Sequence, residues 1–491
     1  MANLINPVKH LLLRAKIQPE KIAVCDIYDA ISYRNLLVLV TKIARKLELL
    51  GFKPGDLAIT SLPPKFDWIF TNALFHEACI TCSNHGYKPV DESLEVDWVI
   101  SDRVVDNVEQ EKLILVDQAW ITDALECEGI GSIKPYAADN EVCRLILTSG
   151  TTGDAKAVAL PLKTIYGRCS VINNYWCGPG SEINMMSLAT VGGFFSAINS
   201  IMTGGTYYCV NKSSDVVKLA MSHTIDSVTA SPIQLASLVA ELESVKGTRP
   251  SFRLIRSAGG TVSAALLDRL LRMTDAEIYN IYGSTELGGV TLDLIHYPYS
   301  PERAGYVLTG VVVEIVDEDD NPLPFGAEGV IRARSNNMVN EYYKNPQATA
   351  ISFKNGWFYP GDRGLLKNDG LLLLAGRESE LINRGGIKIN PDTIDRFLAD
   401  YSGVEDAAVC GVENRSGIQD VVVAIIVPED FDMKTLNMEL LKKFGQSISP
   451  VILVRVKQIP RNEMGKVMRS RMSEQLAVIL ADYESRKNQS S

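Results

Sequence analysis

Short apolar segments alternate with amphipathic ones along about the first 380 residues of the chain. The segments KIAVCDI (21–27) and DLAITSL (56–62) have the length and the β-branched content of strands. Residues 34–52 instead repeat apolar side chains at three-to-four spacing as far as Gly51, which is the pattern of an amphipathic helix and its end. The alternation predicts a largely parallel α/β architecture, in which ligands bind beyond the carboxyl ends of the strands.

Two later regions depart from this alternation. Strand-like segments in residues 310–335 are separated by Asn-Pro and Gly-rich turns with no helix between them, so we expect an antiparallel β subdomain near 305–370. After Arg377 the pattern predicts two strands, a helix and a strand, which make a small separate α+β unit. The predicted fold class is α/β: a large N-terminal region of α/β layers with a β subdomain (1–378), then a small α+β C-terminal domain (379–491).

Composition narrows the function classes. The 46% hydrophobic and 22% charged content is that of a globular enzyme, and a formal net charge of −10 argues against a general nucleic-acid binder. The longest aliphatic run, residues 421–427, is far shorter than the roughly 18 residues of a membrane helix. The N-terminal segment lacks a signal-peptide pattern. We therefore expect no nucleic-acid partner, no membrane span and a cytoplasmic location, with residues 485–491 disordered.

The cysteines give little sign of a disulfide framework. Nine of them, an odd number, are scattered through a long chain, which favours reduced thiols. The one paired spacing is Cys79 to Cys82, with His76 and His85 nearby as further ligands. A zinc site is the alternative there, but buried thiols that pack as small apolar side chains are favoured.

The segment LILTSGTTGDAKAVAL (145–160) carries the first candidate chemistry. An apolar run is followed by seven residues drawn only from Thr, Ser, Gly and Asp, and then by Lys156. Glycines let backbone N–H groups approach phosphate oxygens, hydroxyls donate hydrogen bonds, and a lysine supplies charge. The spacing differs from a Walker A loop. The residues alone predict a phosphate loop of another kind, and the alternative is a Gly/Ser/Thr-rich linker without a binding role.

Four further stretches follow this loop in order. They are IYGSTELGG (281–289), GWFYPGDRGLL (356–366), GRESELINRGGIKI (376–389) and PRNEMGKVMRS (460–470). With LTSGTTGDAK, in this order and at these separations, the chain resembles the adenylate-forming superfamily of acyl- and aryl-CoA ligases, nonribosomal adenylation domains and luciferases. The resemblance runs from about residue 20 to 475, and five motifs in order make it very specific.

The resemblance implies ATP and Mg²⁺ as cofactors and a small carboxylic acid as substrate. Joining a carboxylate to the α-phosphorus brings two anions together, so positive charge and hydrogen-bond donors must surround both. In the family, Glu286 would hold Mg²⁺, Thr285 would lie beside the α-phosphate, and Lys466 would be the catalytic lysine. The loop that would wrap the β- and γ-phosphates is formed by Thr148, Ser149, Gly150, Thr151, Thr152, Gly153 and Lys156.

The same resemblance places the rest of the nucleotide. Tyr282 would lie against one face of adenine, with the two glycines of the segment SAGG (257–260) on the other face of the base. Asp362 would accept hydrogen bonds from the ribose hydroxyls, and Arg377 would donate to the same ribose. The alternatives are that Tyr282 is a core residue and that Asp362 and Arg377 are solvated surface charges. The remaining nucleotide-binding candidates are Gly259, Gly260, Gly283 and Ser284.

The acid pocket is expected in the segment after residue 187. Amino-acid-activating relatives carry an aspartate for the substrate ammonium at the place that falls on Val191, and valine cannot replace it. An apolar or weakly polar acid without an α-amino group is therefore predicted. The pocket candidates are Thr190, Val191, Gly192, Gly193 and Phe194.

The C-terminal domain is expected to be mobile and to carry Lys466 in the first half-reaction. Rotation about a hinge at Ser379 would then bring Gly385, Gly386 and Lys388 to the nucleotide site as the tunnel for a thiol. Paired glycines that merely form a turn are the alternative. The chain departs from the family pattern at Ala155, Ala157, Pro360 and Ser379.

The predicted function is ATP-dependent activation of a carboxylic acid as its acyl or aryl adenylate, then transfer to a thiol, with release of AMP and pyrophosphate. The thiol would be coenzyme A or the phosphopantetheine arm of a separate carrier protein. Activation of an amino acid and amide formation with an amine are alternatives within the family. A silent nucleotide-sensing protein and a kinase-like phosphotransferase are alternatives from other classes.

Overall fold

The computed structural model describes residues 6–84, 86, 89–129, 131–148, 156–175, 180–245, 249–414, 417–462 and 465–489. Its helices are α1 (Val8–Ile17), α2 (Tyr33–Leu49), α3 (Pro64–His76), α4 (Gln118–Glu126), α5 (Leu162–Tyr175), α6 (Val191–Thr203), α7 (Ser213–Ser222), α8 (Pro232–Ser244), α9 (Ala264–Met273), α10 (Pro346–Ser352), α11 (Pro391–Ala399), α12 (Met433–Phe444) and α13 (Arg469–Gln489).

The strands are β1 (Ile22–Cys25), β2 (Ala30–Ser32), β3 (Leu57–Ser61), β4 (Ile80–Ser83), β5 (Trp98–Ser101), β6 (Leu113–Leu115), β7 (Val142–Thr148), β8 (Lys156–Pro161), β9 (Ser181–Asn184), β10 (Thr206–Cys209), β11 (Ser227–Ala230), β12 (Leu254–Ala258), β13 (Glu277–Ser284), β14 (Gly288–Leu294), β15 (Arg303–Val307), β16 (Val311–Val316), β17 (Gly329–Ser335), β18 (Phe353–Lys354), β19 (Trp357–Phe358), β20 (Asp362–Leu366), β21 (Leu371–Arg377), β22 (Ile382–Arg384), β23 (Ile387–Ile389), β24 (Asp406–Glu413), β25 (Gln419–Ile426) and β26 (Val451–Arg455).

The elements form where the local sequence directs them, and α2 shows how. The Ser32 hydroxyl accepts a hydrogen bond from the Asn35 amide (3.3 Å) and caps the first turn. Leu36, Val40 and Leu47 are buried along one face, as the apolar spacing predicts. The helix ends just before a glycine with φ +103°, a conformation that side chains disfavour.

Two sheets build the N-terminal region. One has the order β6-β5-β3-β4-β7-β8, and its strands are parallel except for the antiparallel pair β7–β8. The other runs β2-β1-β10-β9-β11-β12-β13, with parallel pairing from β1 to β13. This parallel pairing is what the alternation of strands and helices predicts.

From β14 onward the second sheet continues with antiparallel strands. Its order is β14-β15-β21-β20-β17-β19-β18, and β16 pairs with β17. The strands of residues 305–370 are therefore antiparallel, and they extend the parallel sheet edge-on rather than forming a sheet of their own. Buried side chains such as Ile315, Ile331 and Leu372 pack in one cluster beneath them.

The C-terminal region is a smaller α+β unit. Its sheet has the order β24-β25-β26, and β22 and β23 form a separate hairpin. The two strands, the helix and the strand predicted from the apolar pattern are β24, β25, α12 and β26. The expectation of a disordered tail was wrong for residues 485–489, because α13 continues through them. Adding polar residues with good helix propensity to a helix already anchored by packing costs little.

The remaining expectations about burial concern cysteines and membranes. Cys79 and Cys82 are both buried in apolar clusters. His85 lies outside the described residues. Within the described ranges, no helix is both long and apolar enough to cross a bilayer.

Candidate active site

A cavity of about 980 Å³ lies where several parallel strands end. Its wall includes the carboxyl ends of β4, β7, β12 and β13, the N-terminal turn of α6 and the side of α5. This is the edge at which α/β sheets bind ligands. The predicted residues on the wall are Thr148, Thr190, Val191, Gly192, Gly259, Gly283, Ser284 and Thr285.

The ends of the predicted phosphate loop are held together by strand pairing. Thr148 pairs with Lys156 in the β7–β8 ladder, and the Thr148 hydroxyl donates to the Lys156 carbonyl (3.1 Å). The Lys156 Nζ lies 5.0 Å from the centre of the Tyr342 ring. Ser149, Gly150, Thr151, Thr152 and Gly153 lie outside the described residues.

Glu286 is buried beside the cavity and held at both its side chain and its backbone. The Tyr342 hydroxyl donates to Glu286 Oε1 (2.6 Å). The buried Arg168 donates to the carbonyl oxygens of Thr285 (2.8 Å) and Glu286 (2.7 Å). Burial lowers the pKa of Arg168 to about 10, and the Glu286 charge opposes this shift. Neither Arg168 nor Tyr342 could be predicted from the sequence, because no motif spacing marks them.

A Mg²⁺ ion fits this carboxylate. Glu286 Oε2 makes no hydrogen bond or ion pair with the described part of the chain. That part also contains no cluster of three acidic, His or Cys side chains able to hold a metal by itself. Mg²⁺ is commonly bound by one or two carboxylates together with substrate phosphate oxygens and water. Glu286 and a bound triphosphate would supply such a set.

Replacing Glu286 by glutamine tests this assignment. The amide oxygen still accepts the Tyr342 hydrogen bond, so we expect the fold to survive while adenylate formation falls about tenfold or more. A Mg²⁺ titration of pyrophosphate release should show a weaker response than in the wild type. Glu328→Gln, at an exposed carboxylate, is the control. An unchanged Mg²⁺ titration in Glu286→Gln would reject the assignment.

Tyr282, Asp362 and Arg377 form a connected group at the end of β13 and across β20–β21. Asp362 and Arg377 are paired in the strand register. The Tyr282 hydroxyl donates to Asp362 Oδ2 (2.7 Å), and Arg377 Nε lies 3.1 Å from Oδ1. Burial, with the Asp362 charge, raises the pKa of Tyr282. Because a carboxylate accepts about four hydrogen bonds, Asp362 keeps acceptor capacity for a ligand.

Gly259 and Gly260, both candidates for the nucleotide site, differ in position. Gly259, with φ +85°, lines the cavity. A Cβ on Gly260 would lie 3.3 Å from Pro232 Cγ, so this glycine permits close packing against α8. Gly260 is therefore beside the cavity and does not line it.

Lys466 of the C-terminal domain pairs with Glu380, and its charge interacts with those of Asp362 and Arg377. Its Nζ lies 3.3 Å from Glu380 Oε1. Burial lowers the pKa of Lys466, Arg377 lowers it further, and Glu380 and Asp362 oppose the shift. Asn462, Met468 and Arg471 of the same domain line the cavity, so this domain forms part of its wall.

Glu380 holds two cations at once. Arg469 Nε donates to Glu380 Oε2 (2.7 Å), while Oε1 faces Lys466. Burial alone would raise the pKa of Glu380, but Lys466 and Arg469 together bring it below its ordinary value. Glu380 thus favours the charged form of the half-buried Lys466. Glu380 was not among the residues predicted from the sequence.

The Glu380→Gln variant should therefore change the pH profile. In the catalytic role predicted from the sequence, Lys466 must be protonated to neutralise two anions, so kcat/KM for adenylation should fall as pH rises through the lysine pKa. Removing the Glu380 charge lowers that pKa further, and the alkaline limb should begin at a lower pH. The exposed Glu378→Gln is the control. Coincident pH profiles for wild type and Glu380→Gln would contradict this role.

The structure corrects part of the acid-pocket prediction. Phe194 is fully buried, packs edge-to-face against Phe75 and lies under the Arg144 guanidinium, 4.8 Å from its ring centre. Phe195 lines the cavity instead. On a helix successive residues are about 100° apart, so α6 turns Phe194 toward the core and its neighbour toward the cavity.

Gly193 also packs away from the cavity. It donates its amide to the capping Thr190 hydroxyl (3.1 Å). A Cβ there would lie 2.0 Å from the Ser187 carbonyl oxygen. The glycine lets the start of α6 approach the preceding loop, which places Thr190, Val191 and Gly192 on the cavity wall.

The candidate hinge and thiol-tunnel residues lie away from the cavity. Ser379 is exposed within the short 3₁₀ helix Glu378–Glu380. Gly385 and Gly386 form the turn of the β22–β23 hairpin with φ +59° and +96°. A Cβ on either would have no heavy atom within 4 Å among the described residues. Lys388 is exposed, with Nζ 3.5 Å from Glu318 Oε1.

Comparison with known proteins gives one consistent picture. The model of the AMP-binding enzyme family matches residues 12–343. The medium/long-chain fatty acid-acyl-carrier-protein ligase of Mycobacterium tuberculosis is 26% identical over 94% of this chain and 93% of its own length. The 2-succinylbenzoate-CoA ligase of Bacillus velezensis is 26% identical over 94% of this chain and 97% of its own.

Solved structures show the same fold. ATP-bound MatB from Rhodopseudomonas palustris superposes with a TM-score of 0.84 at 20% identity, covering 96% of this chain and 99% of that one. The o-succinylbenzoate coenzyme A synthetase from Bacillus subtilis in complex with ATP and magnesium gives a TM-score of 0.82 at 22% identity, covering 94% and 98%. The large N-terminal and smaller C-terminal regions are common to these chains.

Proposed function

Because the chain belongs to the AMP-binding enzyme family, we propose that it activates a carboxylic acid with ATP as an acyl or aryl adenylate and then transfers the acyl group to a thiol. Pyrophosphate leaves in the first step and AMP in the second. The observation that carries the proposal is that the charge of Lys466 interacts with the Asp362–Arg377 pair, while Asn462 and Met468 of the same domain line the cavity.

The chemistry needs positive charge at the joining atoms. The acid carboxylate attacks the α-phosphorus of ATP, and both groups are anionic. We assign Lys466 to the carboxylate and α-phosphate oxygens, and Lys156 with its loop to the outgoing phosphates. Glu286 would hold Mg²⁺, which supplies neutralisation of the phosphate charge. Asp362 would accept the ribose hydroxyls and fix the nucleotide against this set.

The acceptor in the second step is a thiol in this proposal. Relatives of the chain include both CoA ligases and acyl-carrier-protein ligases. Coenzyme A and a carrier protein share the phosphopantetheine arm, so one tunnel serves either. An amine acceptor stays the alternative. The expected location of the enzyme is the cytoplasm.

A pyrophosphate-release assay tests the first step. The purified chain is supplied with ATP, Mg²⁺ and, separately, aryl, short-chain, fatty and amino acids. Acid-dependent release of pyrophosphate and AMP is the expected result. Release of ADP would indicate a phosphotransferase, and no acid-dependent nucleotide turnover over the whole panel would reject the proposal.

Selection against amino acids is assigned to Val191, which lines the cavity. We expect Val191→Asp to lower kcat/KM for apolar acids about tenfold, because it places an unpaired carboxylate beside them. Measurement over the acid panel should show a smaller loss for amino acids. Val210→Asp, outside this cavity, is the control. Wild-type preference for an α-amino acid would contradict the assignment.

A further inference from the structure

The lysine loop consists of Arg461, Asn462, Gly465, Lys466 and Val467 of the C-terminal domain. An isolated antiparallel bridge joins Arg461 to Val467. The Gly465 amide donates to the Asn462 carbonyl oxygen (2.8 Å), and the Lys466 amide donates to Asn462 Oδ1 (2.9 Å). Hydrogen bonds within the loop therefore fix the backbone that carries the Lys466 side chain.

Arg461 ties this loop to the body of its domain. Its Nη2 lies 2.7 Å from Asp406 Oδ1 and its Nε 3.3 Å from Oδ2, which is a bidentate pair with the first residue of β24. Its Nη1 donates to the Gly465 carbonyl oxygen (2.8 Å). The place of Lys466 in the site is thus set by where the C-terminal domain rests on the N-terminal region.

The lysine loop rests on the first turn of α8. A Cβ on Gly465 would lie 2.7 Å from Ile233 Cβ, which is closer than two such atoms approach. Only a glycine therefore lets the loop backbone come this near to the isoleucine side chain. The described lining of the cavity does not include Ile233, and this residue is 44% exposed, so neither contact with the acid nor burial in the core accounts for its place.

The first turn of α8 is a firm support for this contact. Ser231 and Gln234 form a capping box, in which the Ser231 amide donates to Gln234 Oε1 (2.9 Å) and the Gln234 amide to the Ser231 hydroxyl (3.5 Å). Pro232 fixes its own φ at the first helical position. Gln234 Nε2 also donates to the carbonyl oxygen of Met185 (2.7 Å), directly after β9. The turn is therefore held to the sheet edge where the cavity lies.

Two neighbouring residues of this turn contact two different parts of the site. Pro232 packs against Gly260, the candidate nucleotide-site glycine, whose added Cβ would lie 3.3 Å from Pro232 Cγ. Ile233 packs against Gly465, which precedes Lys466. Because consecutive residues of a helical turn keep a fixed separation, the turn sets the distance from Gly260 to the lysine loop.

We propose that Ile233 is a positioning residue for adenylation: the lysine loop stops against it, and this contact sets the place of Lys466 relative to the bound nucleotide. This inference rests on the proposed function, since it concerns how the lysine of that function is placed. Ile233 touches no reacting atom in this role. A displacement of about 1 Å at a reacting centre can lower a rate by about a hundredfold, so a missing stop affects kcat.

Truncation of Ile233 tests the inference by acid-dependent pyrophosphate release. Ile233→Ala should lower kcat about tenfold and leave KM for ATP and for the acid within about twofold, because the cavity wall is unchanged. The order of preference over the acid panel should stay the same. Ile233→Val keeps a branched side chain at the contact and should retain about half of the wild-type kcat or more.

A double variant separates the placing of Lys466 from a general defect. In the Lys466→Ala background, Ile233→Ala should not lower the residual release further, because no lysine remains to be placed. Leu271→Ala is the matched control, since Leu271 is also an exposed apolar residue of a helix, α9, at 40% exposure. It should keep kcat within about twofold of the wild type. Thermal unfolding of each variant checks the fold.

The outcomes are distinct. Wild-type kcat in Ile233→Ala, or an equal loss in the wild-type and Lys466→Ala backgrounds, overturns this inference and leaves the proposed function in place. A raised KM with unchanged kcat does the same, since it would make Ile233 a substrate-binding residue. Absence of release from the wild type with every acid overturns the proposed function and this inference with it.

Discussion

Replacing Lys466 by alanine is expected to lower acid-dependent pyrophosphate release about a hundredfold or more, while the protein stays folded. The ammonium would neutralise charge that develops as a carboxylate oxygen joins the α-phosphate, and such preorganised groups contribute most in the transition state. The side chain lies at a domain boundary beside Glu380 and Asp362, so its loss removes no core packing. The loss should appear in kcat more than in the affinity for ATP.

The control for this prediction is Lys457→Ala. Lys457 is an exposed lysine of the same domain. It should leave pyrophosphate release within about twofold of the wild type, since exposed charges contribute little. Far-UV circular dichroism and thermal unfolding of both variants check the fold. Wild-type adenylation by folded Lys466→Ala would reject the role of the lysine.

Residues that belong to one local motif were predicted together, and the structure places them together. Thr285, Gly283 and Ser284 lie in one stretch, and the strand that ends there brings them to the cavity. Asp362 and Arg377 come from separate motifs, yet β20 and β21 pair them directly. These residues come together in space because each motif lies at an end of a strand.

Contacts between distant segments were not predictable in this way. Arg168 on α5 holds the backbone at Thr285 and Glu286, and Tyr342 holds the Glu286 side chain. These side chains work through the packing of one element against another, and no spacing in the chain marks them. Glu380 lies within the motif of residues 376–389, but its partner Lys466 comes from another motif, so their contact was not predicted either.

The acid pocket shows the limit of counting along a helix. The prediction took five consecutive residues, but a helix presents only some of any five to one side. Thr190, Val191 and Gly192 line the cavity, whereas Phe194 enters the core. Only the rotation of α6 about its axis, set by its packing on the sheet, decides which residues line the cavity.

Gly386→Leu is expected to block thioester formation while sparing adenylation. In the structure, the charge of Lys466 interacts with Asp362 and Arg377, and Gly385 and Gly386 of the hairpin are exposed. We propose that this arrangement serves the first half-reaction. We propose that rotation of the C-terminal domain about Ser379 withdraws Lys466 from the nucleotide site and brings the hairpin there in its place. A leucine in the hairpin would then narrow the passage for a pantetheine arm.

A leucine at Gly386 also strains the backbone, which is a second way in which it can lower activity. The same substitution at a glycine of similar conformation measures the effect of strain alone. Gly386 has φ +96°, which disfavours any side chain although the space around it is open. Gly370 in the β20–β21 turn has φ +86° and equally open surroundings among the described residues. Gly370→Leu therefore carries similar strain without touching the hairpin. It should keep both half-reactions if strain alone has little effect.

The decisive measurement takes both half-reactions on one preparation of each variant. Pyrophosphate release reports the adenylate, and thioester formation is followed with coenzyme A and with pantetheine as acceptors. We expect Gly386→Leu to retain most pyrophosphate release and to lose thioester formation about a hundredfold, since a blocked arm cannot place its sulfur near the acyl carbon. Two results would reject the rotation of the C-terminal domain between half-reactions and show that the glycines serve only the turn. One is an equal loss of both activities in Gly386→Leu, and the other is a loss of thioester formation in Gly370→Leu as well.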